Sequence, residues 1–346
     1  VTRCIALADH LVDRLVGYYV DDQFYAYSAN GNQAAFNGAL RLIFVNATAD
    51  GSNPPADVGA SNGGWTNADK VVGVTHVWVV TKVDDTVWTQ GHPRFKFVLR
   101  GLKAYDPRRD PALGYTGPNP QTWDDPTSHT FTRNAALLDY AYDRGIYATG
   151  RQGQAAHLLI GRGLSAEEAP PERIIAAANL CDEIVDGAAR YTANGVISAA
   201  QSFLEVKQAF ASAMAGIIIQ PDGGVAIEPG QAKAVVATIT DGDLVAGEAK
   251  SFSEFLPDTD GGRVNTVVPR YVEPSQGYKD HSGAVRRDLA HLAADGGPRE
   301  LTLPLLLVTS AKQADRCAEI TRLKARLERA RSGAIGKGGE ISLMIA

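Results

Sequence analysis

The stretch LVGYYVDDQFYAYS, residues 15–28, decides the fold class because its pattern is that of two strands joined by a tight turn. Aromatic and β-branched residues favour strands, and Asp21-Asp22 between the two runs favours a turn. Three further runs share this composition, several with period-two alternation: RLIFVNAT (41–48), VTHVWVVTKV (74–83) and RFKFVLRGLKAYD (94–106). The first hundred residues are therefore predicted to be mainly β-structure.

The chain changes character after Asp106. The segment PRRDPALGYTGPNPQTWDDPTSH (107–129) holds five prolines and little periodicity, which predicts an irregular linker. Apolar spacing and end signals predict four helices: Asn134 to about Arg144, ended by Gly145; Pro171 to about Ile184; residues 202–216, closed by Gly216; and about Ala311 to Arg331, ended by Gly333. At the start of the fourth helix, Ser310 and Gln313 have capping-box spacing.

Strands are predicted between the later helices as well. They are GIIIQPDGGVAIEPG (216–230), a hairpin that turns at Pro221–Gly224, and the runs AVVATIT (234–240), VNTVVPRYV (264–272) and ELTLPLLLV (300–308). The fold class is therefore α+β, with mainly antiparallel sheets and interspersed helices. We expect three parts: a β-rich domain over 1–105 with a long exposed loop at about 46–70, the Pro-rich linker and a helical segment over 106–188, and a second α+β domain over 189–346.

Composition limits the classes of function. A net charge of −5 and a pI near 5.8 argue against a protein that holds nucleic acid through its phosphates. Cys4, Cys181 and Cys317 lie far apart, which favours reduced thiols in a protein assembled in the cytoplasm. No apolar run is long enough for a membrane span, and the start does not resemble a signal peptide. Both ends run through strand-like sequence, so we expect a fragment of a longer polypeptide.

Each motif that could serve catalysis, a cofactor or a metal also has a structural interpretation. Gly161, Gly163 and Ala166 match GxGxxA, but Pro170-Pro171 follows at once, so a loop is favoured over a dinucleotide site. The seven histidines include no HxxxH or HExxH pair for zinc. His281-Ser282 lacks a GxSxG elbow. No catalytic, cofactor-binding or metal site is predicted, and the chain is not expected to be an enzyme.

Three charged groups also have structural interpretations. Asp258 and Asp260, before Gly261-Gly262, lack the further ligands of a calcium loop and are interpreted as a polar turn. Glu167-Glu168 precede a helix N-terminus, which negative charge stabilises. The last helix also carries a basic run that is interpreted as a solvated or intersubunit face and not as a nucleic-acid site: Arg316, Arg322, Lys324, Arg326, Arg329 and Arg331.

Several segments, in order along the chain, resemble the central tail-tip hub of long non-contractile phage tails. This family includes the lambda-like tip attachment protein J and the tail-tip protein of gene transfer agents. The segments are FKFVLRGLKAYDPR (95–108), NAALLDYAYDRGIY (134–147), ANLCDEIV (178–185), RYTANGVIS (190–198), the helix and GIIIQPDGGVAIEPG (216–230), VNTVVPRYVEPSQGY (264–278) and the run at 308–316. The residues that carry the resemblance are Gly101, Lys103, Tyr105, Asp106, Pro107, Arg108, Asp139, Tyr140, Cys181, Asp182, Glu183, Arg190, Tyr191, Gly195, Gln313 and Arg316.

The resemblance implies a fold, an assembly and a location. The family's hubs contain barrel- or sandwich-like domains related to tail-tube proteins, and three copies adapt the sixfold tube to a threefold tip. The implied partners are further copies of the chain, distal tail and tail-tube proteins, the tape-measure protein and receptor-binding fibre or tip proteins, with no sequence-specific nucleic acid. The implied roles are host attachment and genome ejection at the virion tail tip. Two alternatives stay open: the hub of a contractile or type VI-like injection machine, and a virion-associated cell-wall hydrolase.

Overall fold

The computed structural model describes most of the 346 residues. The described parts are 1–48, 50–55, 66, 69–89, 91–148, 157–220, 224–232, 253–255, 264–327, 329–335 and 339–345. They divide into two compact units: unit 1 comprises Val1–Asn179 and Ile197–Phe203, and unit 2 comprises Leu180–Val196 and Leu204–Ala346. The three-part domain division stays a prediction.

Two four-stranded antiparallel sheets form the β-rich part of unit 1. One has the order β1-β6-β5-β4 and the other β3-β2-β7-β8. The strands are β1 (Thr2–Ala8), β2 (Val12–Val20), β3 (Gln23–Ala26), β4 (Gly31–Asn32), β5 (Leu40–Val45), β6 (Thr75–Thr81), β7 (Phe95–Ala104) and β8 (Thr130–Phe131). All four predicted strand runs are confirmed.

The hairpin of β2 and β3 turns where the sequence predicts it. Val20 pairs with Gln23, and the two residues between them, Asp21 and Asp22, have φ angles of 47° and 70°. Two consecutive positive φ angles define the type I′ geometry, whose twist matches that of the flanking strands. Aspartate tolerates this region because its short side chain bonds locally.

The apolar core of unit 1 lies between the two sheets. Leu40 and Leu42 of β5 and Val77 and Val79 of β6 are buried on the face that meets β2. The fully or nearly fully buried members are Leu15, Tyr18, Val20, Phe36, Leu40, Leu42, Val77 and Val79. Unit 1 is thus a β-sandwich in its first part, and this core fixes the position of β7, which leads into the first polar cluster described below.

The rest of unit 1 contains short strands and two helices. The elements are helix α1 (Ala135–Arg144), β9 (Ile146–Tyr147), β10 (Leu158–Ile160) and helix α2 (Pro171–Asp182), whose last residues belong to unit 2. The side chain of Asn134 caps α1, accepting hydrogen bonds from the backbone N–H groups of Ala136 (3.1 Å) and Leu137 (3.2 Å). Gly145, with φ 95°, follows the last helical residue. The predicted bounds of α1 are confirmed.

Unit 2 is built around the long strand β16. On one side β17 and β18 pair with it antiparallel, and on the other side β19 pairs with it in parallel. The elements are β11 (Ile184–Val185), β12 (Ala188–Ala189), α3 (Phe203–Ala213), β13 (Ile217–Ile219), β14 (Ala226–Glu228), β15 (Ser253–Phe255), β16 (Thr266–Glu273), β17 (Lys279–Ser282), β18 (Arg286–Arg287), α4 (Leu289–Ala294), β19 (Glu300–Leu305), α5 (Ala311–Leu327), β20 (Arg329–Ile335) and β21 (Gly339–Ile345).

Two helix ends differ from their predictions. Helix α5 ends at Leu327, and Arg329–Ile335 form a strand that pairs with β21, so the predicted continuation to Arg331 is wrong. Helix α3 ends at Ala213, and the left-handed residue after it is Ala215, with φ 45°. The N–H of Gly216 then bonds the carbonyl of Ala211 at 2.8 Å, as in a Schellman motif.

Several predicted features lie outside the described residues. They are most of the loop at 46–70, the turn of the 216–230 hairpin, the run 234–240 and the Asp258–Asp260 turn. The hairpin's two strands, β13 and β14, are described and pair antiparallel, as predicted. The α+β class with mostly antiparallel sheets is confirmed, and the parallel pairing of β19 with β16 is the exception that the sequence did not indicate.

Candidate functional site

The residues that carry the resemblance fall mainly into two polar clusters, one in each unit. We call the first the Tyr105 cluster; its members follow β7 and contact α1. We call the second the α5 cluster; its members join helix α5 to the segments around α2, β12 and α3. The two groups of marker residues are Tyr105, Asp106, Pro107, Arg108 and Tyr140, and Cys181, Glu183, Arg190, Tyr191, Gln313 and Arg316.

Hydrogen bonds to carboxylates fold the Pro-rich segment after β7. Asp106 accepts bonds from the Arg108 backbone N–H at 3.0 Å and from its guanidinium at 2.7 Å. Asp110 caps the next short 3₁₀ turn and accepts the hydroxyl of Tyr105. The fully buried side chain of Gln121 accepts the Asp106 backbone N–H at 2.9 Å. The segment is irregular, as its prolines predict, and these bonds anchor it through Asp106, Asp110 and Gln121 although most of its residues are exposed.

Arginine and aromatic rings complete the Tyr105 cluster. The guanidinium carbon of Arg144 lies 4.0 Å from the ring centre of Trp123, and its Nη1 donates to the hydroxyl of Tyr140 at 2.9 Å. Tyr105 and Trp123 meet edge-on at 5.8 Å. Burial, and then the bond to Asp110, raises the pKa of Tyr105, so the phenol stays protonated at neutral pH. The cluster therefore anchors the segment after β7 to α1 through buried, bonded groups.

The remaining markers of unit 1 occupy simpler positions. Gly101 and Lys103 lie on β7, where Lys103 pairs with Phe131 of β8. Asp139 is almost fully buried on α1. The cap residue Asn134 also donates from Nδ2 to the carbonyl of Ala178 at 2.8 Å, which joins the start of α1 to α2. Sequence reasoning placed the helix start at Asn134 but did not identify this second bond.

Gln313 is the centre of the α5 cluster. Its Nε2 donates to the carbonyls of Thr192 and Ala213, both at 2.8 Å. Its Oε1 accepts the Thr192 backbone N–H at 3.1 Å and the Thr192 hydroxyl at 2.9 Å. One buried amide thus bonds two segments that are distant in sequence. The backbone N–H of Gln313 donates to Ser310 Oγ at 3.4 Å, which is one half of the predicted capping box. The other half, from the Gln313 side chain back to the cap residue, is replaced by the long-range bonds above.

Arg316 and Glu183 hold the β11–β12 hairpin. Arg316 Nη1 donates to the carbonyl of Arg190 at 2.7 Å, and its Nη2 reaches the carbonyl of Val185 at 3.3 Å. The guanidinium of Arg190 pairs with the carboxylate of Glu183 at 2.7 Å. The turn between the strands consists of Asp186 and Gly187, both with positive φ. The hairpin is therefore fixed to α5 by charge-assisted bonds to its backbone.

Buried sulfur and phenol groups line the same cluster. Cys181 and Cys317 are fully buried and form no disulfide bond within the described residues, and Cys181 Sγ lies 3.7 Å from Met214 Sδ. The hydroxyl of Tyr191 donates to the carbonyl of Gly230 at 2.6 Å. Burial raises the pKa of both Tyr191 and Cys317 to about 12. Neutral, protonated groups of this kind serve packing, since a reactive thiol needs a lowered pKa and access to solvent.

For the three described side chains of the basic run on α5, the solvated alternative is wrong, and the intersubunit alternative stays a prediction. Arg322 is buried and pairs with Glu319 at 2.6 Å, and Lys324 donates to the carbonyl of Ala215 at 2.8 Å. Arg316 bonds the β11–β12 hairpin, as described above. These positive charges thus have partners inside unit 2, and those of Arg316 and Lys324 are carbonyls outside α5. The side chains of Arg326, Arg329 and Arg331 lie outside the described part.

The other motifs have structural explanations. Gly161 and Gly163 lie in the loop after β10, where the N–H of Arg162 bonds the carbonyl of Tyr142 at 3.0 Å. A side chain at Gly161 would collide with that carbonyl oxygen, so the glycine allows the loop to cap α1. Glu168 accepts the Ser165 N–H at 2.9 Å and caps a turn ahead of α2. His281 meets Tyr271 edge-on at 5.7 Å, on β17. Asp182 and Gly195 are exposed markers at segment ends.

Within the described ranges, no group of three or more His, Cys, Asp or Glu side chains is placed to hold a metal ion.

In the described part of the chain, no helix has both the length and the apolar character that crossing a membrane requires.

Comparison with known proteins relates this fold to phage tails. Residues 204–332 match a family model described as "Putative phage tail protein". Among solved structures, a chain of the "Virion of native gene transfer agent (GTA) particle" is similar over 99% of this chain and 77% of that chain, with a TM-score of 0.54 and 15% identity. No curated protein matches by sequence. The matched family region contains β16, the whole of α5 and all of α3 except Phe203, and of the α5 cluster it includes Gln313 and Arg316.

Proposed function

We propose that this chain is a structural virion protein, the homotrimeric hub of a phage or phage-like tail tip. The observation that carries the proposal is the fold similarity to a gene transfer agent virion chain, which extends over 99% of this chain and both of its units. The phage-tail family match to residues 204–332 supports it independently, from sequence. In this role three copies adapt the sixfold tail tube to the threefold tip.

The character of the two polar clusters supports an assembly role. Their carboxylates, guanidinium groups and amide side chains bond backbone groups of their own unit, as with Gln313 and Arg108. Such bonds make irregular segments rigid, and a rigid surface loses little conformational entropy when a subunit binds it. A ring-forming protein gains from this, because each interface of a closed ring must fit both neighbours.

The open sheet edges of unit 1 support the same role. Within the described residues, β1 pairs only with β6, and β3 pairs only with β2. Unpaired edges promote association, so neighbouring subunits in a ring would cover them. We propose that further copies of the chain and the distal tail or tail-tube proteins supply these contacts. The tape-measure protein and receptor-binding fibre or tip proteins would then bind the axial and outer surfaces, for host attachment and genome ejection.

Mass photometry of the purified full chain, followed by electron microscopy of particles with a tagged copy, tests the proposal. A species of three times the 36.8 kDa protomer and a threefold ring at the tail tip are the expected results. A monomer with peptidoglycan-cleaving activity that a single Asp, Glu or His substitution abolishes would establish the hydrolase alternative. A ring seated on a β-helical spike under a contractile sheath would instead establish the injection-machine alternative.

A further inference from the structure

We infer that unit 1 carries a binding pocket for a small oxyanion, a phosphate or carboxylate group, at the end of the β4–β5 hairpin. This inference does not rest on the proposed hub function. The pocket has a volume of about 370 Å³ and is lined by Gly31, Asn32, Gly38, Arg41, Val80 and Lys82. Two of these residues are cationic and none is acidic, in a chain whose net charge is −5. The charge of the pocket is thus opposite to that of the protein.

Strand register places the polar side chains on one face. Asn32 pairs with Arg41 across β4 and β5, and Arg41 pairs with Val80 across β5 and β6. Directly paired residues project to the same side of a sheet, so these three side chains form one row. Leu40 and Leu42, the neighbours of Arg41 in sequence, project to the opposite face and are fully buried in the core. The core therefore fixes the strand from which Arg41 extends.

Lys82 is held beside this row by its backbone. Its N–H donates to the carbonyl of Ala39 at 2.9 Å, and its carbonyl accepts the indole N–H of Trp88 at 2.8 Å. Because both backbone groups are bonded, the position from which the ammonium extends is fixed. Lys82 follows β6, the strand that pairs with β5, so the second cation is a cross-strand neighbour of Arg41 and lines the same pocket.

Two glycines keep the cavity open. Gly31 has φ 128° and Gly38 has φ 80°, values that side-chain-bearing residues rarely adopt. A Cβ atom built at either position has no neighbour within 4 Å, so the space above both glycines is empty. A ligand can therefore approach the backbone of the hairpin closely. Val80 adds one apolar wall on which a carbon skeleton could rest.

This set of groups matches an oxyanion with a small substituent. A guanidinium presents five donors in a planar fork, so Arg41 can bind two oxygens and keep a contact within the chain. Lys82 adds a point charge, and the Asn32 amide suits a hydroxyl. Ligand pockets of roughly 300–1,000 Å³ hold small organic molecules, and this one is near the lower limit. A sugar-sized phosphate or carboxylate would fill it better than free phosphate would.

Isothermal titration of the full chain tests the inference with four probes: inorganic phosphate, glucose 6-phosphate, glucuronate and uncharged glucose. We expect binding of the charged probes with a Kd on the order of 1 mM, weakening with added salt, and no binding of glucose. A Kd for glucose 6-phosphate below that for inorganic phosphate would mean that the ligand carries a substituent. Equal values would identify a free oxyanion as the ligand.

Charge-matched variants distinguish the pocket from general attraction. The double variant R41Q/K82Q should raise the Kd about tenfold or more, because both cationic donors are lost. R14Q/K279Q removes the same two charge types from exposed positions outside the pocket and should leave the Kd unchanged. If R41Q/K82Q fails to fold, the exposed single variant K82E replaces it. The inference would be overturned if the pocket variant bound the charged probes with the same Kd as the wild type. It would also be overturned if the wild type bound no charged probe.

Discussion

Both units bury many apolar side chains, and they differ in the polar bonds of their helices. Unit 1 has a broad apolar core between two sheets, with eight buried residues and ten partly buried ones packed against them. Unit 2 also buries apolar side chains, among them Phe210, Met214 and Leu305. In addition, its helix α5 bonds backbone carbonyls of other segments through Gln313, Arg316 and Lys324.

This difference predicts which amino-acid substitutions each unit tolerates. Apolar cores accept many substitutions that keep the volume, because dispersion and hydrophobic burial are not directional. Hydrogen bonds from a buried amide require particular atoms at particular distances. We therefore expect unit 2 to be sensitive to isosteric polar substitutions that unit 1 would tolerate. The four tryptophans, at positions 65, 78, 88 and 123, all belong to unit 1, so their fluorescence reports on that unit.

The largest effect is expected from Leu40→Ala in unit 1. Leu40 is fully buried between the sheets, and such a truncation costs about 3 kcal/mol through lost burial and a cavity. Chemical denaturation followed by tryptophan fluorescence measures the change. Val83→Ala, at a position that is 89% exposed, is the control and should change stability by less than about 0.5 kcal/mol. Similar losses for both variants would contradict a stability that depends on the apolar core.

The next effect is expected from Gln313→Met in unit 2. Methionine keeps the side-chain volume but leaves the Ala213 carbonyl and the Thr192 N–H without this partner, which costs about 2–3 kcal/mol. Hydrogen exchange of unit 2 peptides by mass spectrometry measures the loss. Gln276→Met, at an exposed position of the same unit, is the matched control. If unit 2 of Gln313→Met were as protected from hydrogen exchange as the wild type, packing alone would stabilise this unit.

Substitutions of Asn134 test whether unit 1, like unit 2, is stabilised by side-chain hydrogen bonds to the backbone of another segment. Asn134→Ala removes the cap of α1 and the bond to Ala178, for an expected loss of about 1–2 kcal/mol. Asn134→Ser keeps a capping oxygen and removes only the longer bond, so it should lose about half as much. Tryptophan fluorescence in denaturant measures both. Equal losses would mean that the bond to Ala178, and not the cap, is the important one.

The smallest effect is expected from acid titration of the Glu319–Arg322 pair. The hydrogen bond from Arg322 lowers the pKa of Glu319 below its ordinary value of 4.5. The stabilisation is therefore complete above pH 4.5 and is lost as the pH falls through the lower folded-state value. Glu319→Gln, which cannot titrate, should reduce the pH dependence of unit 2 unfolding in that range. The effect is small because the pair is partly exposed on the Glu319 side.

Local patterns allowed much of the fold to be predicted, and long-range contacts explain what could not be. The Asp21-Asp22 turn and the start of α1 depend on neighbouring residues, so the sequence indicates both. The end of α5 depends on strand pairing with residues 339–345, which no local signal indicates. In the same way, Gln313 has capping-box spacing with Ser310. Its side-chain amide nevertheless bonds Thr192 and Ala213, which are 121 and 100 residues away in sequence.

The candidate clusters show the same limit. The resemblance identified Tyr105, Asp106 and Arg108, but Gln121 and Arg144, which complete their surroundings, lie in other segments. A run of prolines does not reveal that Asp110 and Gln121, between them, are buried and bonded. The pairing of Arg316 with carbonyls was also hidden, because basic residues on a helix more often face solvent.

The bonds of Gln313 also affect the order of events during synthesis. Its partners Thr192 and Ala213 leave the ribosome well before Gln313 itself, by 121 and 100 residues. At roughly 5–20 residues per second, this interval is on the order of ten seconds. During that time the carbonyls that α5 will bond have no partner from this helix, and long loops must close before it binds. Maturation of unit 2 thus depends on emergence of α5 from the ribosome.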